Sequence, residues 1–150
     1  MPAPAAWYFA YASNMSKKQM SSRAEILEEH AARLENYELV FNKKARGGVA
    51  TANVRQAAGE FVLGVLYRIT ESSFRNLDRF EGVPEHYRRI EVNVTYGEGK
   101  SAAAQVYIAT KVDKGLRPAP HYLQTILEGA AEHNFPAEYV EKVKAAAQSG

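Results

Sequence analysis

The chain has 150 residues, 46% of them apolar and 24% charged, with a formal net charge of +2 and a pI near 8.8. This length suits one domain able to bury roughly two-thirds of its unfolded surface. The absence of cysteine excludes disulfides, thiolate nucleophiles and Cys-based metal sites. No stretch approaches the roughly 18 apolar residues of a membrane span. Met1-Pro2-Ala3-Pro4-Ala5-Ala6 has neither a basic n-region nor an apolar h-region, so a cytoplasmic protein is expected. The basic clusters Lys43-Lys44-Arg46 and Arg88-Arg89 are interleaved with acidic residues, which reads as solvated surface rather than a nucleic-acid stripe.

Trp7–Tyr11 is a short, aromatic-rich apolar run, as expected of a buried strand. It ends in small residues, Ala12-Ser13-Asn14, whose backbone N–H groups could be exposed. Ser16-Lys17-Lys18-Gln19 has the form of a capping box and predicts a short helix. Ser22-x-x-Glu25 before Ile26, Leu27 and Ala31 predicts another helical turn or two, followed by a strand over Leu34–Phe41. After the Gly47-Gly48 turn, Gly48–Val54 is a further strand candidate, and Phe61–Ile69 is the strongest in the chain. Thr70 or Ser72 caps the next helix, where Phe74, Leu77 and Phe80 or Glu81 share a face. Ile90, Val92 and Val94 alternate with polar residues as a half-exposed strand. The turn Gly97-Glu98-Gly99-Lys100 leads to a partner strand, Ala102–Ala109. Pro118-Ala119-Pro120 opens one helix, through Ala130, and Pro136 starts another. Ala145–Gly150 reads as a frayed tail. Residues 1–150 are therefore expected to form one α+β domain. Its mixed, mostly antiparallel curved sheet approaches a small barrel, with one inserted helix and two C-terminal helices.

Two segments can carry chemistry. Leu77-Asp78-Arg79-Phe80-Glu81-Gly82-Val83 puts one carboxylate, Glu81, at a helix C-terminus beside an apolar face. Negative charge is disfavoured there, so Glu81 holds a proton more readily than usual and suits general acid–base work. The alternative is a solvated carboxylate. The Ala12-Ser13-Asn14 turn is either a plain connection or an anion site made of backbone N–H groups, the Asn14 amide and a helix N-terminus. His30, His86, His121 and His133 lack metal-ligand spacing. His86 follows the Glu81 loop and could lie near that site, but it reads rather as solvent-exposed. Tyr122 is either core or a pocket wall. No Gly-x-Ser-x-Gly elbow, phosphate loop or dinucleotide fingerprint occurs, so neither cofactor nor metal is expected.

Tyr11-Ala12-Ser13-Asn14 and Leu77-Asp78-Arg79-Phe80-Glu81-Gly82 together resemble the γ-glutamylcyclotransferases and their AIG2-like relatives. That family's strand ends in Tyr-Gly-Ser-Asn, with Leu-Asp-x-x-Glu-Gly further on. Tyr37–Asn42, Gly64–Tyr67, Tyr87-Arg88-Arg89, Pro120-His121-Tyr122 and Pro136–Tyr139 also match. The resemblance implies cyclisation of a γ-glutamyl group to 5-oxoproline with release of an amine. Tyr11, Ala12, Ser13 and Asn14 would hold the glutamyl α-carboxylate, and Glu81 would move the proton. The family fold is a small mixed sheet closing toward a barrel.

The implied partner is a small γ-glutamyl substrate, other than glutathione, rather than nucleic acid or membrane. Arg88, Arg89, Lys111 and Lys114 could flank the leaving group. A homodimer is compatible with the aromatic content but not demanded. A biosynthetic relative that deprotects a specialised metabolite is one alternative reading, and a non-catalytic binding module of the same fold is the other. Ala12 stands where the family often has Gly, which matters if the turn requires a positive φ.

Overall fold

The computed structural model describes residues 5–149. Five strands, β1 (Ala5–Ala10), β2 (Ile26–Lys44), β3 (Ala50–Thr70), β4 (Tyr87–Tyr96) and β5 (Lys100–Ala109), alternate with helices α1 (Lys17–Ser21), α2 (Glu71–Glu81), α3 (Pro120–Glu132) and α4 (Ala137–Ser149). The strands close into a barrel in the order β1-β3-β2-β4-β5. Neighbours are antiparallel, except that β1 runs parallel to β5 where Tyr8 faces Gln105. Closure leaves the sheet without an open edge. This is the mixed, mostly antiparallel barrel expected, with α2 inserted between β3 and β4 and two helices after β5.

Three local expectations are corrected. The helical turns expected after Ser22 are absent, and β2 begins at Ile26. Ser22 Oγ donates to the Gln19 carbonyl, closing α1 instead of opening a helix, and the Glu25 N–H donates to Ser73 Oγ. Pairing of Ile26 through Glu35 with Ile69 through Phe61 then overrides local helical propensity.

The strands expected at Gly48–Val54 and Phe61–Ile69 form one element, β3, interrupted by a bulge. Glu35 faces Phe61, but Tyr37 faces Gln56. Asn36, at φ 63°, accepts the Gly59 N–H on its side chain to hold that bulge. Finally, α4 continues through the expected frayed tail to Ser149, because Tyr139, Val143 and Ala147 form a buried stripe. Gly150 and Met1–Pro4 lie outside the described residues.

The core runs through the barrel and under the helices. Phe9, Val62, Val65, Leu66, Tyr67, Ile69 and Leu77 are fully buried. Two connections brace the segment after β1. Tyr67 donates its hydroxyl to the Asn14 carbonyl at 2.8 Å. On the other side, Gly129 of α3 lets that helix approach so closely that a Cβ there would meet Met15 Cβ at 2.6 Å and the Ser16 nitrogen at 2.8 Å. The Lys17 N–H donates to Glu132 at 3.0 Å, and His133 bridges Glu29 (2.6 Å) and the Gly129 carbonyl (2.8 Å). Helix α3 therefore clamps this turn against the barrel.

Candidate active site

The aromatic strand β1 delivers Tyr8 and Tyr11 to one mouth of the barrel, and the chain then turns through a single 3-10 turn at Ser13–Met15. It is closed by Met15 N–H to the Ala12 carbonyl and Ser16 N–H to the Ser13 carbonyl, each at 3.0 Å, so its leading N–H groups have no partner within the turn. Ala12 has φ −134°. The left-handed geometry that would require glycine is absent.

Ser16 caps α1 by accepting the Gln19 N–H, as the capping box predicts. The Gln19 side chain does not reach back to Ser16, however. It donates to Ser13 Oγ (2.7 Å) and Asn14 Oδ1 (3.0 Å). Asn14 Oδ1 also accepts from Arg23 Nη1 at 3.1 Å, and Asn14 Nδ2 donates to the Tyr8 hydroxyl at 3.0 Å. The Asn14 amide is thus bonded on both its oxygen and one of its two N–H groups. Asn14 organises the turn and fixes Arg23 beside it.

Helix α2 supplies the carboxyl. Thr70 caps its start by accepting the Ser73 N–H, and Gly82 ends it at φ 68°. Phe74 and Leu77 are buried and Glu81 is half-buried, so the inward face is 74, 77, 81. Phe80 is 56% exposed and carries the Arg23 guanidinium 4.4 Å above its ring. The sequence left Phe80 and Glu81 as alternatives for that face. Helical spacing decides for Glu81, because i, i+3 and i+7 align. Burial pushes the Glu81 carboxyl up to about 7, Arg23 works against that, and Asp78 adds to it. Asp78 is held by the Tyr107 hydroxyl (2.7 Å) and by Arg89 (3.0 Å).

Tyr11, Ala12, Ser13, Asn14, Glu81 and Tyr122 all line one cavity of about 720 Å³. Its walls also include Tyr8, Tyr87 and Tyr107. Burial raises all five of the lining tyrosines, and the nearby Glu81 carboxylate adds to that at each, so their hydroxyls stay protonated. Tyr11 donates to the Tyr107 carbonyl and Tyr87 to the Ala52 carbonyl, each at 2.7 Å. Tyr122 and Tyr8 differ. Tyr122 accepts the Ala52 N–H at 3.0 Å and Tyr8 accepts from Asn14. Among the described residues neither donates its own proton. Tyr122 also packs edge-on against the core residue Phe41, so it serves both core and cavity.

Lys43, Lys44 and Arg46 border the cavity, as does His86. Arg88, Lys111 and Lys114 do not, and Arg89 is engaged by Asp78. Lys43 is buried, against expectation, whereas Lys44, Arg46 and His86 are exposed, as expected. Arg23 and Tyr8 were missed. Arg23 sits in the stretch misread as helix, and the only sequence signal for Tyr8 was its place in an aromatic strand. Among the described residues no three His, Cys, Asp or Glu side chains stand together to hold a metal ion, and no helix is long and apolar enough to cross a membrane.

Comparison with known proteins places this geometry. The AIG2-like family model matches residues 61–143. A mouse protein named gamma-glutamylcyclotransferase is 35% identical over 147 residues, covering 92% of this chain and 77% of its own length. Its human counterpart shows the same identity and coverage. A solved gamma-glutamyl cyclotransferase superposes with a TM-score of 0.84 at 31% identity, covering 95% of this chain and 88% of its own. The chain belongs to the AIG2-like family, among relatives that bear the name gamma-glutamylcyclotransferase.

Proposed function

We propose that this protein is a γ-glutamyl cyclotransferase that converts a γ-glutamyl amine or amino acid to 5-oxoproline and the free amine. The observation that carries the reading is Glu81, a carboxyl poised at about 7 in the cavity bordered by the Tyr11–Asn14 turn. A five-membered ring closure brings its own nucleophile, so the protein need only supply a productive rotamer, a proton shuttle and donors for the developing oxyanion.

The substrate α-carboxylate sits at the leading N–H groups of the Ala12–Asn14 turn, with Arg23 as counter-charge. Ionised Glu81 takes a proton from the α-ammonium. The freed amine attacks the γ-carbonyl carbon, forming the ring C–N bond and placing negative charge on the carbonyl oxygen. Tyr8 and Tyr122 are the hydroxyls with a proton left to donate to that oxygen. Protonated Glu81 gives its proton to the departing nitrogen, and the original γ-amide C–N bond breaks as the oxyanion collapses. Glu81 then takes the second proton from the ring nitrogen and passes it to the released amine, which leaves as its ammonium. Atoms and charge balance without any external reactant.

The test is 5-oxoproline formation from a panel of γ-glutamyl amino acids and amines, measured by mass spectrometry. Glu81→Gln is expected to lose turnover by at least about 10²-fold, the scale of general acid–base catalysis, while still binding substrate. A variant that turns over at the wild-type rate would remove Glu81 from the mechanism.

A further inference from the structure

The cyclisation uses Glu81 and leaves the other acid of its segment, Asp78, without a task. Asp78 precedes Glu81 by one turn of α2, a spacing at which side chains are neighbours. It stands behind the cavity wall rather than in it. Two other strands fix its carboxylate. Tyr107 of β5 donates its hydroxyl to Asp78 Oδ1 at 2.7 Å, and Arg89 Nε of β4 lies 3.0 Å from the same oxygen. Arg89 is also packed, with its guanidinium 4.9 Å above the Phe74 ring. The Asp78 carbonyl accepts the Val83 N–H at 3.0 Å, so the residue closes the same turn of helix that carries Glu81.

A carboxylate beside Glu81 favours the protonated form of that group, and Asp78 acts in this direction. Arg89 offsets the Asp78 charge at its source. The remaining groups around Glu81 come from other elements. Arg23, ahead of β2, opposes Asp78. Lys43, Lys44, Arg46, Arg79, His86 and His121 share the cavity. The five tyrosines contributed by β4, β5, α3 and the β1 segment stay protonated and bring no charge. Asp78 is therefore the anion that bears on Glu81, and Arg89 is the residue that decides how much of its field is felt.

We propose that Arg89 and Asp78 form a charge pair behind the cavity wall that sets the pH range in which Glu81 accepts the substrate proton. This rests on the cyclotransferase reading. Both are positioning residues, because neither touches substrate and each acts through Glu81 or Tyr107. Without Arg89 the Asp78 charge is unshielded and Glu81 keeps its proton to higher pH. Without the Asp78 charge Glu81 releases its proton at lower pH.

The experiment is the pH profile of kcat/KM for γ-glutamylalanine, whose acid limb reports the base of the free enzyme. Arg89→Met removes the charge and keeps an apolar stem over Phe74, and it should move that limb upward. Asp78→Asn can still accept the Tyr107 hydroxyl, and it should move the limb downward. The side chains of Asp78 and Arg89 are 22% and 34% exposed, so solvent screens the pair and each shift is expected to be about half a unit to one unit. Arg89→Lys should return the limb toward its wild-type position. A purely structural pair would lower the rate without moving the limb, and an unmoved limb in either variant, or shifts of the same sign, overturns the proposal. Should one variant fail to fold by circular dichroism, the sign of the shift in the other decides. NMR titration of the Glu81 side-chain carboxyl, assigned by its loss in Glu81→Gln, reads the same shifts without turnover. Absence of 5-oxoproline from every γ-glutamyl substrate would sink the parent reading, whereas 5-oxoproline formation with an unmoved carboxyl titration would sink the charge pair alone.

Discussion

Glu81 owes its suitability to two opposed influences. Burial holds its proton, while Arg23 favours the ionised form, and the balance near 7 is what the proposed mechanism asks of one carboxyl that acts as base and then as acid at neutral pH. In the proposed mechanism Tyr122 supplies the complementary element, since its hydroxyl accepts the Ala52 N–H and has a proton to offer the oxyanion. Tyr122→Phe is therefore expected to lower kcat by about 10²-fold with little change in KM, as steady-state 5-oxoproline assays would show. Losing the Ala52 contact should cost only about 1 kcal/mol of stability, readable as a modest drop in Tm. Glu81 and the Tyr11–Asn14 turn were legible in the sequence because each lies on a short, ordered local motif. Arg23 was not, because it gains its place from contacts with Asn14 and Phe80 on separate elements, and no local spacing encodes them.

At the scale of elements, the site depends on how α3 grips the turn after β1. Gly129 permits backbone contact that any side chain would block. Gly129→Ala should push α3 outward, destabilise the fold by about 1–3 kcal/mol and lower kcat/KM through the displaced turn. Urea melts combined with kinetics would measure both, and an unchanged midpoint with unchanged kcat/KM would contradict the clamp. The elements legible in the sequence were those with an unambiguous period or cap: β1, the second half of β3, α2 with its Thr70 cap and Gly82 stop, and the β4–β5 hairpin. The N-terminal half of β2 was not. Ile26, Leu27 and Ala31 fit a helical stripe, but β3 offers a long partner whose backbone pairing outweighs that preference. The joined length of β3 was hidden because the Gly59 region looks like a loop until Asn36 is seen opposite it.

For the molecule as a whole, the barrel trades stability for a poised carboxyl. Glu81 is raised from its ordinary value of 4.5 to about 7, so between those values the folded state holds a proton that the unfolded chain has released. The resulting stability is fully present below about 4.5 and is lost as pH rises through about 7. Glu81→Gln mimics the protonated form. It should be more stable than wild type at pH 8 by on the order of 1–2 kcal/mol after solvent screening, and the gap should close toward pH 4.5. Denaturant melts across that range give the comparison, and a pH-independent gap would contradict the linkage.

The closed barrel was foreseeable only in outline. Strand content and alternation suggested a curved sheet, whereas the parallel β1–β5 seam that shuts it joins elements almost a hundred residues apart. That closure gathers the turn after β1, the end of α2 and the start of α3 around one cavity, and it gives the family's two separated motifs a common site. The most direct measurement is 5-oxoproline release from γ-glutamylalanine by the wild-type protein and by Glu81→Gln, run side by side with a binding assay on both. Product from the wild type alone, with binding retained in the variant, is the expected result. Equal product from both would contradict the assignment of Glu81 as the proton-transferring group.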